Sequence, residues 1–198
     1  MKKLFLMTAL VVFGYTANAQ DENTDSSSGF AIGDFTLGGG LSFGSESTGD
    51  VKFNQFTFSP SVGYFVSDNI AVGIDLGLST AKDEDGGGET KYNSLTAGAF
   101  GQYYFNPANQ FSMFLELGAG FSSSKIEEGS MESKSNGFYI GFAPGISYFV
   151  SDCLALQAKV GVLGYSTDKP DFDGAESTDT FNLGVDLSDV TFSIIYKL

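Results

Sequence analysis

Asp75, Glu116 and Lys159 are the residues with the most chemical potential in this chain. Each stands sixth in a segment that follows a short turn, counting from Ile70, Phe111 and Leu154. A strand pattern points all three to the same, inward face. Two carboxylates and one ammonium at a common level form an ion cluster, because charges persist away from water only when paired. The plain role of such a cluster is to fill a narrow interior. The sharper one is a polar constriction in a conduit, with Gln102 and Gln157 adding hydrogen bonds. A second set of carboxylates crowds the connections: Asp83, Glu84, Asp85 and Glu89, then Asp168, Asp171, Asp173, Glu176 and Asp179. Such runs ordinarily form a solvated, self-repelling surface. Carboxylate oxygens also suit Ca²⁺, which makes Asp171, Asp173 and Glu176 candidate metal ligands. Asp171-Phe-Asp173-Gly174 nevertheless carries only part of the spacing of a calcium loop.

Other chemistry is excluded by what is missing. The chain has no His, which removes His-dependent acid–base catalysis and Ser-His nucleophiles. Gly38-Gly39-Gly40 opens no helix and is a packing feature rather than a phosphate loop. Cys153 is the single cysteine. It has no internal disulfide partner and reads as a small apolar turn residue. The net charge is −14, and removing Lys2 and Lys3 makes it −16. A field of that sign does not attract nucleic acid.

The elements that position these residues follow from the order of the sequence. Lys2-Lys3, the apolar run Leu4–Phe13 and Ala17-Asn18-Ala19 are the three zones of a signal peptide over residues 1–19. The apolar run falls short of the ~20 residues a spanning helix needs. Residues 20–33 form a polar lead-in, and 34–198 one domain. In that domain, period-two apolar faces recur eight times. Phe35 to Phe43, Phe56 to Tyr64, Ile70 to Leu78, Phe111 to Phe121 and Phe138 to Tyr148 are the clearest. Leu154 to Val162 and Val190 to Leu198 complete the set, with a weaker segment over Tyr92–Phe105. The opposing residues are mainly Gly, Ala, Ser and Thr. Small residues suit the tight interior of an eight-stranded barrel, and the apolar face then meets lipid. An open sheet is excluded, because its edge strands unpaired peptide groups in hydrocarbon.

Connections alternate in length. Short ones lie near 66–69, 106–110 and 150–153; long loops lie near 44–52, 80–91, 122–137 and 166–180. That alternation fits eight strands with both ends on the periplasmic side. Phe58–Asp68 repeats as Phe142–Asp152, so the repeating unit is a β-hairpin. Tyr64, Tyr104 and Tyr148 end strands at one level and, with Tyr196, are expected in a periplasmic aromatic girdle. Pro60 and Pro144 suggest local bulges within strands. A parity switch before Val190 suggests another near Ser188–Asp189.

The tandem Pro-x-x-x-Tyr-Phe-Val-Ser-Asp turns, the signal peptide and the C-terminal strand resemble the small outer-membrane β-barrel family. That family includes OmpX-like proteins and the membrane domain of OmpA-like, "porin family" proteins. Thr191-x-Ser193-x-x-Tyr196-x-Leu198 is similar to the signal read by the outer-membrane assembly machinery, although Leu198 replaces the usual aromatic terminus. The resemblance implies an all-β, eight-stranded antiparallel up-and-down transmembrane barrel in the cell outer membrane of a Gram-negative bacterium. It implies a monomer with lipid and lipopolysaccharide as partners and no cofactor. Enzymatic relatives rely on His, so no catalysis is expected. The expected function is a structural or surface-interaction role. The alternatives are a narrow channel or binder for small apolar molecules, and adhesion through the acidic loops.

Overall fold

The computed structural model describes residues 28–49, 51–85, 88–185 and 190–198. The alternation drives ten strands: β1 (Phe35–Thr48), β2 (Val51–Phe65), β3 (Ile70–Asp85), β4 (Glu89–Tyr104) and β5 (Phe111–Glu128) in the first half. The second half holds β6 (Met131–Phe149), β7 (Leu154–Val160), β8 (Leu163–Pro170), β9 (Thr178–Leu183) and β10 (Val190–Lys197). β7 and β8 both pair with β6, while β10 pairs with β7 and β9 with β8. The ten strands are therefore eight staves, two of them interrupted. The β1–β10 and β5–β6 ladders close the antiparallel sheet into a barrel.

The period-two faces set which side chains point where. Leu41, Phe43, Ile74, Phe121 and Phe192 stand outward, each more than 60 % exposed. An outward band this apolar makes sense only in an apolar surrounding. The inner wall is narrow, and its glycines let large neighbours lie flat across the ladder. Gly73 faces Phe100 and Gly145 faces Phe114. A Cβ at Gly73 would run into the Phe100 ring and the Val62 carbonyl oxygen.

Several elements differ from the sequence-based expectation. The loops expected near 44–52, 80–91 and 122–137 are continued strand pairing. β1 to β6 are 14 to 19 residues long, beyond the ~9–11 that cross a bilayer. Past the apolar band like charges stand directly opposite, Lys82 facing Lys91 and Lys125 facing Lys134, and the diagonal ion pairs Lys82–Glu89 and Lys125–Glu132 offset their repulsion across the ladder. Pro60 causes no bulge: Phe58 faces Leu78 and Ser61 faces Asp75 in unbroken register. At Pro144 the extra residue lies on the neighbouring stave. Gly145 faces Lys159 but Phe142 faces Leu163, so three steps on β6 oppose four across Val160–Leu163. The ladder gives way where Pro144 has no N–H to donate. The switch near Ser188–Asp189 and the signal peptide lie outside the described residues.

The two copies of the hairpin repeat close with the same turn. Val66 N–H donates to the Ile70 carbonyl at 2.9 Å and Val150 N–H to the Leu154 carbonyl at 2.8 Å. Replacing Gly73 with Ala is expected to destabilise the barrel by about 1–3 kcal/mol, the usual effect of overpacking. Gly101→Ala, where a Cβ meets nothing within 4 Å, is expected to change little. Urea midpoints of the barrel refolded in vesicles check this. Equal midpoints for the two variants would show that Phe100 does not lie over Gly73.

Candidate functional site

The short-turn end of the lumen is filled by aromatic rings. Phe65, Tyr104, Phe114 and Phe149 project inward from β2, β4, β5 and β6, and all are about 1 % exposed. Phe30 inserts among them from the segment before β1. Its ring centroid lies 4.7 Å from Phe65, 4.6 Å from Phe149 and 5.3 Å from Tyr104. The backbone fixes this insertion. Phe30 N–H donates to the Pro107 carbonyl at 2.7 Å, and Gly33 N–H to the Phe65 carbonyl at 2.9 Å. The Lys197 ammonium donates to the Gly29 carbonyl at 2.7 Å and sits 5.4 Å from the Phe149 ring centroid. Residues 28–33, read as the end of a polar lead-in, thus supply the centre of a plug.

A polar network rests on this plug. The Lys159 ammonium meets Glu116 Oε1 at 2.5 Å. Gln102 Nε2 donates to Glu116 Oε2 at 2.8 Å, and the Tyr104 hydroxyl donates to Gln102 Oε1 at 2.9 Å. Gln157 Nε2 donates to the Tyr104 hydroxyl oxygen at 2.8 Å. Five side chains from β4, β5 and β7 so form one unbroken chain across the lumen. Both carboxylate oxygens of Glu116 are engaged, which is what a charge needs when water is scarce.

Asp75 neighbours that pair without bonding to it. It makes no ion pair within 4 Å among the described residues. Its Oδ2 instead accepts a 3.5 Å hydrogen bond from the Tyr139 hydroxyl. Asp75, Gly98, Gly120 and Tyr139 are successive partners across β3, β4, β5 and β6. Tyr139 lies over the two glycines to reach Asp75, and a Cβ at Gly120 would stand 2.6 Å from its hydroxyl. Of the expected cluster, Glu116 and Lys159 form the direct ion pair, while Asp75 bonds Tyr139 and lies within electrostatic range of both. Sequence reasoning missed Tyr139. The signal was there: it is the one large inward residue among Gly137, Gly141, Ala143, Gly145 and Ser147.

The girdle assignment of Tyr104 is corrected. Its side chain is wholly inside the barrel, because Tyr103, the residue before it, takes the outward position. A one-residue shift of a strand motif reverses the face. Tyr64 and Tyr148 do face outward beside their inward partners Phe65 and Phe149. Tyr196 is half-buried near Cys153. Asp171, Asp173 and Glu176 do not converge either. Among the described residues no three His, Cys, Asp or Glu side chains come together as a metal-holding group.

The long hairpins carry a feature that charge counting hid. Lys82-x-Glu84 and Glu89-x-Lys91 recur as Lys125-x-Glu127 and Glu132-x-Lys134. Lys82 meets Glu84 at 2.6 Å and Glu89 at 2.7 Å; Lys125 meets Glu132 at 2.7 Å. Hydrogen bonds to Glu84 and Glu89 push the Lys82 ammonium up to about 12. Hydrogen bonds from Lys82 and Lys91 hold Glu89 below the usual carboxylate range.

The model of the outer membrane protein beta-barrel domain matches residues 7–188. The chain belongs to that outer-membrane barrel family. Its outward apolar wall is the face that meets lipid, and the cell outer membrane is where it resides. OprG from Pseudomonas aeruginosa has a similar structure, at 14% identity and a TM-score of 0.50, covering 86% of this chain and 98% of that one. Neisserial surface protein A is another, at 16% identity and a TM-score of 0.48, with 85% and 99% covered. No curated protein sequence matches the chain.

In this outer-membrane barrel, Lys159 is the cation that holds Glu116 inside the lumen. Lys159→Met is expected to cost roughly 3 kcal/mol, the low end for stranding a buried charge, because a third of the lysine side chain remains exposed. Lys169→Met, on an exposed stave, should change stability by under about 1 kcal/mol. Urea unfolding in vesicles at neutral pH reads both. Equal midpoints at neutral pH would overturn the role of the pair.

Proposed function

We propose that the barrel is a non-conducting, non-catalytic membrane scaffold that works through its surface. In this reading the short turns face the periplasm, the long hairpins face out of the cell, and the closed lumen makes the barrel a rigid post. The observation that carries the reading is the plug: five inward rings no more than 2 % exposed, topped by hydrogen bonds that join β4, β5 and β7. Paired strands continuing well past the apolar band support the same role, since they hold the hairpins upright.

A second reading has one observation in its favour. A cavity of about 660 Å³ opens between β6, β8 and β9, with Glu116, Tyr139 and Lys159 at its inner side and Leu163, Leu183 and Val185 at its outer side. Such a mixture suits a small amphiphile, in keeping with a binder of small apolar molecules. It does not require a through-pore.

Single-barrel recordings in planar bilayers test the main reading. The wild-type protein is expected to give no steady conductance steps. Ion-conducting steps from the refolded, heat-modifiable protein would overturn it.

A further inference from the structure

The outer wall is built in tiers above its apolar band, and the tiers repeat stave by stave. On β3 the outward series is Leu78, Thr80, Lys82, Glu84; on β4 it is Leu95, Asn93, Lys91, Glu89. On β5 it is Phe121, Ser123, Lys125, Glu127; on β6 it is Phe138, Asn136, Lys134, Glu132. β8 follows with Tyr165, Thr167 and Lys169, and β2 with Phe56, Asn54 and Lys52. Register confirms that these residues share one face. Thr80 faces Asn93, Asn93 faces Lys125, and Lys125 faces Lys134. Six adjacent staves therefore present an apolar residue, then a hydroxyl or amide, then an ammonium. Of the ten lysines in the chain, every one outside the signal peptide joins this belt except Lys159 and Lys197.

The order of charges matters more than their sum. Every lysine stands one polar tier beyond the apolar band, and on β3 to β6 the glutamates stand one tier farther out still. A random solvated surface would not sort the signs by height on stave after stave. Ion pairing within the hairpins does not need this order either, since exchanging Lys and Glu would preserve each pair. The order places cations at the level where acyl chains end and headgroups begin. A groove of about 490 Å³ runs through the same tiers. Its floor is Phe56, Leu78 and Leu95, its middle Asn93, and its upper edge Lys125 and Lys134.

We propose that this wall is a binding site for an outer-leaflet glycolipid that carries phosphates on its sugar headgroup. Acyl chains lie along Phe56, Leu78 and Leu95. Sugar hydroxyls and amide-linked groups meet the tier of Asn93, Ser123 and Asn136. The phosphates meet Lys125, Lys134 and Lys169, whose ammonium groups donate charge-assisted hydrogen bonds to phosphate oxygens. Lys169 makes no ion pair among the described residues, so it is ready for an incoming anion. Glu127 and Glu132 keep Lys125 and Lys134 extended along the wall in the meantime. The inference rests on the orientation proposed above, with the hairpins facing out of the cell.

Native mass spectrometry of the folded barrel in detergent tests the site without reference to orientation. Probes are bis-phosphorylated lipid A, dephosphorylated lipid A and phosphatidylglycerol. The wild-type barrel is expected to bind the first saturably and more tightly than the other two. The variant Lys125→Gln/Lys134→Gln/Lys169→Gln should weaken that binding at least about tenfold. A charge-matched control, Asn106→Asp/Asn109→Asp/Ser151→Asp, alters exposed residues at the opposite end and should leave it within about threefold. Heat-shifted mobility confirms that each variant is folded. Equal weakening in both variants, or equal binding of the dephosphorylated lipid or phosphatidylglycerol by the wild type, would overturn the proposal. If the lipid binds as expected but protease on intact cells cuts only the short turns, the site stands and the orientation falls.

Discussion

A polypeptide that crosses hydrocarbon must satisfy each N–H and C=O within itself. For strands this means closure, and everything else in the structure follows from closure. Once β1 pairs with β10, alternate side chains are forced into a lumen too narrow for eight staves of ordinary residues. The sequence meets this with Gly, Ala and Ser along the inner face, and then spends the remaining room on a few large groups. Phe100 lies over Gly73, Phe114 over Gly145, and Tyr139 over Gly98 and Gly120. The polar network is the other product of the same crowding. A charge such as Glu116 is acceptable there only with both oxygens occupied, and Lys159 and Gln102 occupy them.

Much of this was legible because alternation is a strong signal when one face is uniformly apolar. Ile70 to Leu78 and Phe111 to Phe121 define a face, so the inward placement of Asp75 and Glu116 follows directly. The short turns were legible because Phe-Val-Ser-Asp occurs twice. Tyr104 was misread where the signal weakens. The doublet Tyr103-Tyr104 puts an aromatic on each face, and alignment by residue type alone cannot choose between them. Phe30 was illegible for a different reason: one aromatic in a polar stretch has no period, and its role depends on contacts with residues far along the chain. The hairpins were read as loops because charge-rich sequence carries low strand propensity, whereas the backbone ladder runs on through them in unbroken register.

The two charged systems obey opposite rules. Inside the lumen, position is fixed by desolvation, and each group has partners chosen for it. On the outer wall, the Lys and Glu residues remain in contact with water, so their pairing contributes little to stability. Their value lies in geometry, because a β-strand spaces same-face residues evenly and holds each at a set height. A surface that contributes little to folding is free to be shaped by what it touches.

The plug has a consequence for how the molecule is made. Phe30 belongs to the part of the chain synthesised early, yet its pocket is lined by Phe65, Tyr104, Phe114 and Phe149, and Gly29 is held by Lys197, 168 positions away. The seat of the cork is therefore complete only when the last stave lies beside the first. Completion of the fold and sealing of the mouth are a single event, and an incomplete barrel carries its own defect as an exposed aromatic tail.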